Sequence, residues 1–131
     1  MALKAVLIDG NGVARGMLNT VLCDGGYEVC GLSHASGPGL ALVQKHHPQL
    51  VCIARAQAED GHEVIKSIRA SCPKTIIFIV AGGIDAAMVQ AAQAGGVSGF
   101  IVQPFNADAV LRTIRTTLLA VVRKQQAASP T

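Results

Sequence analysis

Thr75-Ile76-Ile77-Phe78-Ile79-Val80 is apolar at every position after its threonine. A strand reads this way when both of its faces are buried, as in a parallel sheet covered on both sides. The run is too short for a core helix and is rich in β-branched residues, so it predicts a central strand. Working outward, similar short runs occur at Leu50 to Ile53, Ala5 to Ile8, Tyr27 to Leu32 and Gly99 to Val102. Five such runs alternate with five helix-like segments, the pattern of βαβ units wound around a parallel sheet. The fold class is α/β.

Apolar residues at helical spacing mark the intervening segments. They are Val13, Met17 and Val21 with Leu18 and Leu22; then Val64, Ile65 and Ile68; then Val110, Leu111, Ile114, Leu118, Val121 and Val122. Each stripe is expected to lie on the sheet. Asp85 and Asn106 are placed as N-caps, and Gly25-Gly26 and Gly95-Gly96 as helix stops. Residues 1–124 read as one domain, followed by a polar tail over 125–131 that contains Ser129-Pro130 and is expected to fray.

With 131 residues, the chain is the size of one domain and can bury roughly 70% of its unfolded surface. Half the residues are hydrophobic but only 3% are aromatic, so the core must be aliphatic. No apolar run approaches the roughly 18 residues that span a bilayer, and Asp9 follows directly on the first run, which is too short for a secretory leader. A cytoplasmic setting without membrane contact is expected. Cys23, Cys30, Cys52 and Cys72 are scattered without a C-x-x-C pair or a histidine at metal-ligand spacing, and read as buried reduced thiols. His34, His46, His47 and His62 read as surface or loop residues, and no metal site is expected. The net charge of +3 owes much to Arg112, Arg115, Arg123 and Lys124, which suit either an acidic partner or a solvated helix face. No aromatic residues interleave with them, so direct nucleic-acid binding is not expected.

Open α/β sheets bind ligands outside the carboxyl ends of their strands. The positions to inspect are Asp9 to Gly12, Ile53 to Ala56, Val80 to Gly83 and Gln103-Pro104. Several segments in order carry a resemblance: Val6-Leu7-Ile8-Asp9 with Arg15 six residues on, Gly26-Tyr27-Glu28-Val29, His47-Pro48-Gln49-Leu50-Val51, Asp60-Gly61, Ala94-Gly95-Gly96-Val97-Ser98-Gly99-Phe100 and Gln103-Pro104-Phe105. Together they make residues 4 to 120 similar to response-regulator receiver domains of the chemotaxis-regulator kind. The resemblance implies a flavodoxin-like (βα)5 three-layer sandwich with a five-stranded parallel sheet of order 2-1-3-4-5, a cis bond before Pro104, and a role in two-component signal transduction.

Nearly all of the residues that carry the family's phosphorylation chemistry are absent. The acidic pair becomes Asp9-Gly10, without the second, Mg²⁺-binding carboxylate. Counting from Pro48 places Ala54 at the phosphoacceptor, whereas counting back from Asp60-Gly61 places Ile53 there, because the loop is one residue short; neither is a carboxylate. The hydroxyl residue becomes Val80 and the lysine becomes Gln103. Mg²⁺ takes hard oxygen ligands, and transfer of a phosphoryl group needs its charge neutralised. Asp9, Gly10, Ala54, Val80 and Gln103 are therefore expected to form a vestigial pocket with no catalytic residue, no phosphorylation site and no cofactor. Asp9 reads as a turn residue before Gly-Asn-Gly. Arg55 either enters the vacated pocket to pair with Asp9 or faces solvent, and the second reading is preferred.

Function then falls to protein partners, or to a second copy of the chain, recognised in one standing conformation. The resemblance places the recognition surface on Asp85 to Ala94, Gly99 to Val102 and Ala107 to Arg123, with Gln90, Gln93, Arg112 and Arg115 as polar contacts and Phe100 as the switch aromatic in one fixed rotamer. Two cofactor-binding alternatives use the Gly10 to Gly12 loop. Gly10-Asn11-Gly12-Val13-Ala14-Arg15 approaches the dinucleotide fingerprint G-x-G-x-x-G but carries Arg15 at the last glycine, and no acid closes Gly31-Leu32-Ser33-His34 to hold a ribose. Asp9-Gly10-Asn11 with Ala81-Gly82-Gly83 is similar to a cobalamin-binding loop, with Asn11 where the cobalt ligand would stand.

Overall fold

The computed structural model describes residues 2–128, and the side chains of 2–124. Five parallel strands are ordered β2-β1-β3-β4-β5: β1 Lys4–Ile8, β2 Glu28–Ser33, β3 Leu50–Ala54, β4 Ile76–Ala81 and β5 Gly99–Val102. The order is the expected one. The strand bounds differ from the sequence reading by single residues. Thr75 stands just outside β4, where its hydroxyl donates to the Pro48 carbonyl at 2.8 Å.

Alternation within the central strands divides the core in two. Ala5, Leu7, Leu50, Cys52, Ile76, Phe78 and Val80 meet helices α1 (Gly12–Asp24) and α6 (Ala107–Ala128) on one face. Val6, Ile8, Val51, Ile53, Ile77, Ile79 and Ala81 meet α2 (Ser36–His46), α4 (Val64–Ser71) and α5 (Ala86–Ala94) on the other. Every residue of β4 is buried, as its composition requires.

Six helices stand where five were expected, because one turn, α3 (Arg55–Ala58), follows β3 directly. The first stripe also needs correction. Ala14, Leu18 and Leu22 are the buried residues of α1, whereas Val13 and Met17 are 74% and 49% exposed. The small Ala14 completes an i, i+4 row that apolar size alone did not reveal. Val122 likewise lies on the open side of α6, at 45% exposed. Helix α2 opens Ser36-Gly37-Pro38-Gly39. Proline is tolerated there because first-turn N–H groups have no intrahelical acceptor. Gly39 lets the helix approach β1: a Cβ would stand 2.6 Å from Ile8 Cδ1.

Asp85 and Asn106 both cap, accepting from the N–H of Met88 at 2.8 Å and of Ala109 at 3.0 Å. Gly26 and Gly96 follow α1 and α5 with positive φ. Arg69 ties two connections together: its guanidinium donates to the carbonyls of Pro73 and Thr75 between α4 and β4 and to that of Gly96 between α5 and β5. Helix α6 continues to Ala128, past the boundary after Lys124 drawn from the sequence, while 129–131 lie outside the described residues.

The cysteines differ in setting. Cys52 and Cys72 are buried, but Cys30 is only half-buried and Cys23 is exposed on α1, so the expectation of four buried thiols fails. Full burial pushes the Cys52 thiol up to about 12. In the native protein a thiol-specific reagent at pH 8 should label Cys23 first and Cys52 only after unfolding, as peptide mapping will show. Phe78 is fully buried between β4 and the α1/α6 layer. Phe78→Ala should lower unfolding free energy by about 3–5 kcal/mol, read from urea midpoints.

Candidate functional site

The carboxyl ends of β1, β3, β4 and β5 open on a cleft of about 230 Å³ lined by Asp9, Asn11, Ala54, Arg55, Ala56, Val80, Ala81, Gly82, Gly83 and Gln103. Four of the five positions assigned to the vestigial pocket, Asp9, Ala54, Val80 and Gln103, thus come together. Ala54 pairs with Val80 across the sheet, while Ile53 is fully buried in the opposite core. Of the two counts that left the position open, the geometry puts Ala54 in the cleft.

Asp9 is the one carboxylate of this lining, and its main-chain groups and one of its carboxylate oxygens are engaged. Its Oδ1 accepts the Asn11 N–H at 2.8 Å, its N–H donates to the Ser33 carbonyl at 2.9 Å, and its carbonyl accepts from Arg15 at 2.7 Å. Asn11 in turn caps α1 by accepting from the Ala14 N–H at 3.0 Å. Asp9 thus closes an Asx-type turn at a helix start, the bond pattern a short acid before glycine adopts. Arg55 stands at the rim and turns to Glu59, Nε to Oε1 at 3.0 Å, with its side chain 48% exposed. It makes no pair with Asp9.

Gly10 does not line the cleft. It faces Gln57 of α3: a Cβ on Gly10 would lie 2.7 Å from Gln57 Nε2. The Gln57 amide occupies the space above the loop, and its buried Oε1 has no hydrogen-bond partner. Sequence reading missed Gln57 altogether. Its only trace was the one-residue disagreement between the two counts across the β3 loop. Farther along that loop, Asp60 accepts from the Ser36 hydroxyl and the His62 N–H, and these bonds, the Ser36 one foremost, hold its carboxyl below the usual carboxylate range.

The donor set does not fit Mg²⁺, which takes octahedral oxygen ligands, commonly from one or two carboxylates. Asp9 offers one carboxylate with an oxygen already taken, and Gly10 and Ala54 offer no side-chain oxygen. Gln103 contributes an amide, and Val80 contributes methyl groups. No group of three or more His, Cys, Asp or Glu residues placed to hold a metal ion occurs among the described residues. The Gly10 to Gly12 alternatives are not favoured either, because Asp9 stands at the mouth and the Asn11 side chain is spent on the cap.

The residues assigned to a partner face do not form one surface. Gln90 and Gln93 are exposed on α5, in the layer that covers one side of the sheet. Arg112 and Arg115 lie in the opposite layer and line a cavity with Gly25 and Tyr27, toward α1. The flank of α6 beside β5 presents Thr117 instead, whose Oγ1 is the atom nearest α6 would offer to a Cβ on Gly99, at 3.1 Å. Phe100 is half-buried and packs on the α4/α5 side of the core. The Gln103–Pro104 peptide is cis. At the other end of the sheet, the αL residue His47 brings Nδ1 to 3.3 Å from Cys72 Sγ, a pair the scattered spacing did not suggest.

An unpartnered buried oxygen costs free energy, so Gln57→Ala should be neutral or stabilising, by up to about 1 kcal/mol. Gly10→Ala should cost less in that background than alone, a coupling of roughly 0.5 kcal/mol or more in a double-mutant cycle. Additive effects in urea unfolding would show that the two side chains do not compete for one space.

The pattern of the family described as response regulator receiver domain matches residues 5–115. The chemotaxis protein CheY of Bacillus subtilis is 32% identical over 120 residues, covering 90% of this chain and 99% of that protein. CheY of Listeria monocytogenes is 30% identical, covering 86% and 95%. The structure of the chemotaxis response regulator CheY4 of Vibrio cholerae superposes with a TM-score of 0.80 at 25% identity, covering 89% of this chain and 99% of that one. A CheY-like receiver domain from Methanospirillum hungatei shares the fold, with a TM-score of 0.82 at 18% identity. Strand order, cleft position and sequence likeness over nearly the whole chain agree, and the chain belongs to the response regulator receiver domain family of two-component signalling.

Proposed function

We propose that this chain is an atypical receiver domain that signals by binding a protein partner without phosphoryl transfer. The carrying observation is the cleft itself: its single carboxylate, Asp9, is tied into a turn and shares the lining with Ala54 and no second acid. A phosphoryl group needs an acceptor oxygen, and its developing charge needs cations or aligned donors. Ala54 supplies no acceptor, and Gln103 is neutral where the family has lysine. Val80 cannot hydrogen-bond an incoming phosphate, so the family's means of sensing one is missing too. Receiver domains such as CheY are non-enzymatic signalling domains, and the absent chemistry leaves recognition as this one's work.

A conformational change requires a ligand that binds one state better than the other. With no phosphate to make that distinction, the partner meets one standing conformation, and Phe100 keeps a single rotamer. A cytoplasmic setting accords with this reading, and no helix among the described residues is long and apolar enough to cross a membrane.

Incubation with acetyl phosphate and Mg²⁺ should leave the intact mass unchanged, and millimolar Mg²⁺ should leave the melting temperature where it was, because a ligand of the native state must raise it. A phosphoryl increment mapped between Ile53 and Gly61, or a saturable rise in melting temperature lost in Asp9→Ala, would overturn the proposal.

A further inference from the structure

Helix α6 lays Val110, Ile114, Leu118 and Val121 on the sheet. Its opposite side carries Arg112, Arg115, Leu119, Val122 and Arg123, spaced by threes and fours and hence on one face. Leu119 and Val122 are 50% and 45% exposed, and the three arginines are exposed and form no ion pair among the described residues. After Asp108 the chain contains no acidic residue. Single exposed leucines are ordinary, but here two apolar side chains are framed by guanidinium groups of one sign.

A cavity of about 410 Å³ adjoins this face, lined by Gly25, Tyr27, Asp108, Leu111, Arg112 and Arg115. It opens where α1 ends. Both helices run back along the sheet from the carboxyl ends of their strands, and a Cβ on Gly25 would already meet Leu111 Cδ2 at 2.5 Å. Helix α1 ends at Asp24, whereas α6 continues to Ala128.

We propose that this flank of α6 docks an acidic amphipathic helix of a different protein. Its carboxylates would pair with Arg112, Arg115 and Arg123, and its apolar side chains would cover Leu119 and Val122 and enter the cavity beside Tyr27. Guanidinium groups suit carboxylates because their donors form a fixed fork. A second copy of the chain fits poorly, since a two-fold contact would set arginine against arginine. A bilayer surface does not fill a concave cavity, and the stripe has no aromatic residues on which bases could stack. This inference rests on the reading of the chain as a binding module that acts without phosphate.

The test uses the full chain and a fluorescent synthetic helix bearing glutamates along a leucine stripe, with a Glu→Gln version as comparison. The acidic peptide should bind about tenfold tighter at low salt, with the difference shrinking as salt screens the charges. Arg112→Glu with Arg115→Glu should weaken it at least about tenfold, and Leu119→Ser should weaken it without altering the salt dependence. Lys66→Glu, on the far face, should leave it unchanged. Equal affinity for the two peptides, no binding, or loss on Gln90→Ala and Gln93→Ala instead would overturn the proposal. So would arginine-dependent uptake by phosphatidylserine vesicles in place of peptide binding, or a dimer in sedimentation that Arg112→Glu dissolves. Affinity that changes with beryllofluoride and Mg²⁺ would overturn the phosphate-independent reading alone, with the docking flank still assigned.

Discussion

The burial of β3 and β4 on both faces is the constraint on which the rest depends. In a strand, successive side chains point to opposite faces, so neighbours in sequence have opposite surroundings. Val51 and Ile53 are thereby committed to the α2/α4/α5 core, and Leu50 and Cys52 to the α1/α6 core. The same alternation leaves Ala54, at the end of β3, to face the cleft beside Val80. A one-residue slip would put Ile53 there and bury the wrong set of side chains throughout the strand. Core packing, not the loop, therefore decides that Ala54 and not Ile53 faces the cleft.

With Ala54 fixed there, the neighbouring changes form a consistent set. The turn α3 begins at once after β3, and Gln57 reaches back over Gly10. A larger residue at position 10 would have to displace that amide. Asp9, with no second carboxylate to share a cation, serves the backbone of its own loop and the start of α1. Arg55 finds its charge partner one turn on, in Glu59. An exposed pair of this kind contributes only about 0–1 kcal/mol, so it explains where the guanidinium points more than how the fold is held.

Much of this was legible in the residues. The unbroken apolar run ending at Val80 gave a central strand because two-sided burial leaves no polar positions to interrupt it, and the caps at Asp85 and Asn106 followed from short polar side chains ahead of helical runs. Ala14 was not legible as core, because a methyl group carries little signal beside Val13 and Met17, which proved exposed. Helix α2 was obscured by glycine and proline in a first turn that tolerates both. The division of the expected partner face was hidden for a different reason: spacing shows which residues share a helix face, but not which neighbour that face meets. Arg112 and Arg115 are together as their spacing requires, yet the end of α1 at Gly25 gives them Tyr27 as a neighbour rather than α5. Gln57 had no sequence signature, since its role lies in a contact made across a loop whose length was ambiguous.

The proposed function requires that the cleft offer no state for a phosphoryl group to select. Amide correlation spectra of the isotope-labelled protein, recorded with and without Mg²⁺ and beryllofluoride, address it most directly, because they report on Asp9, Gly82, Gly83, Gln103 and Phe100 in one experiment. Superimposable spectra are expected at saturating concentrations of both. Saturable shifts at Gly82, Gly83 and Gln103 that propagate to Phe100 would contradict it, by showing a cleft that still binds and a conformation that still moves.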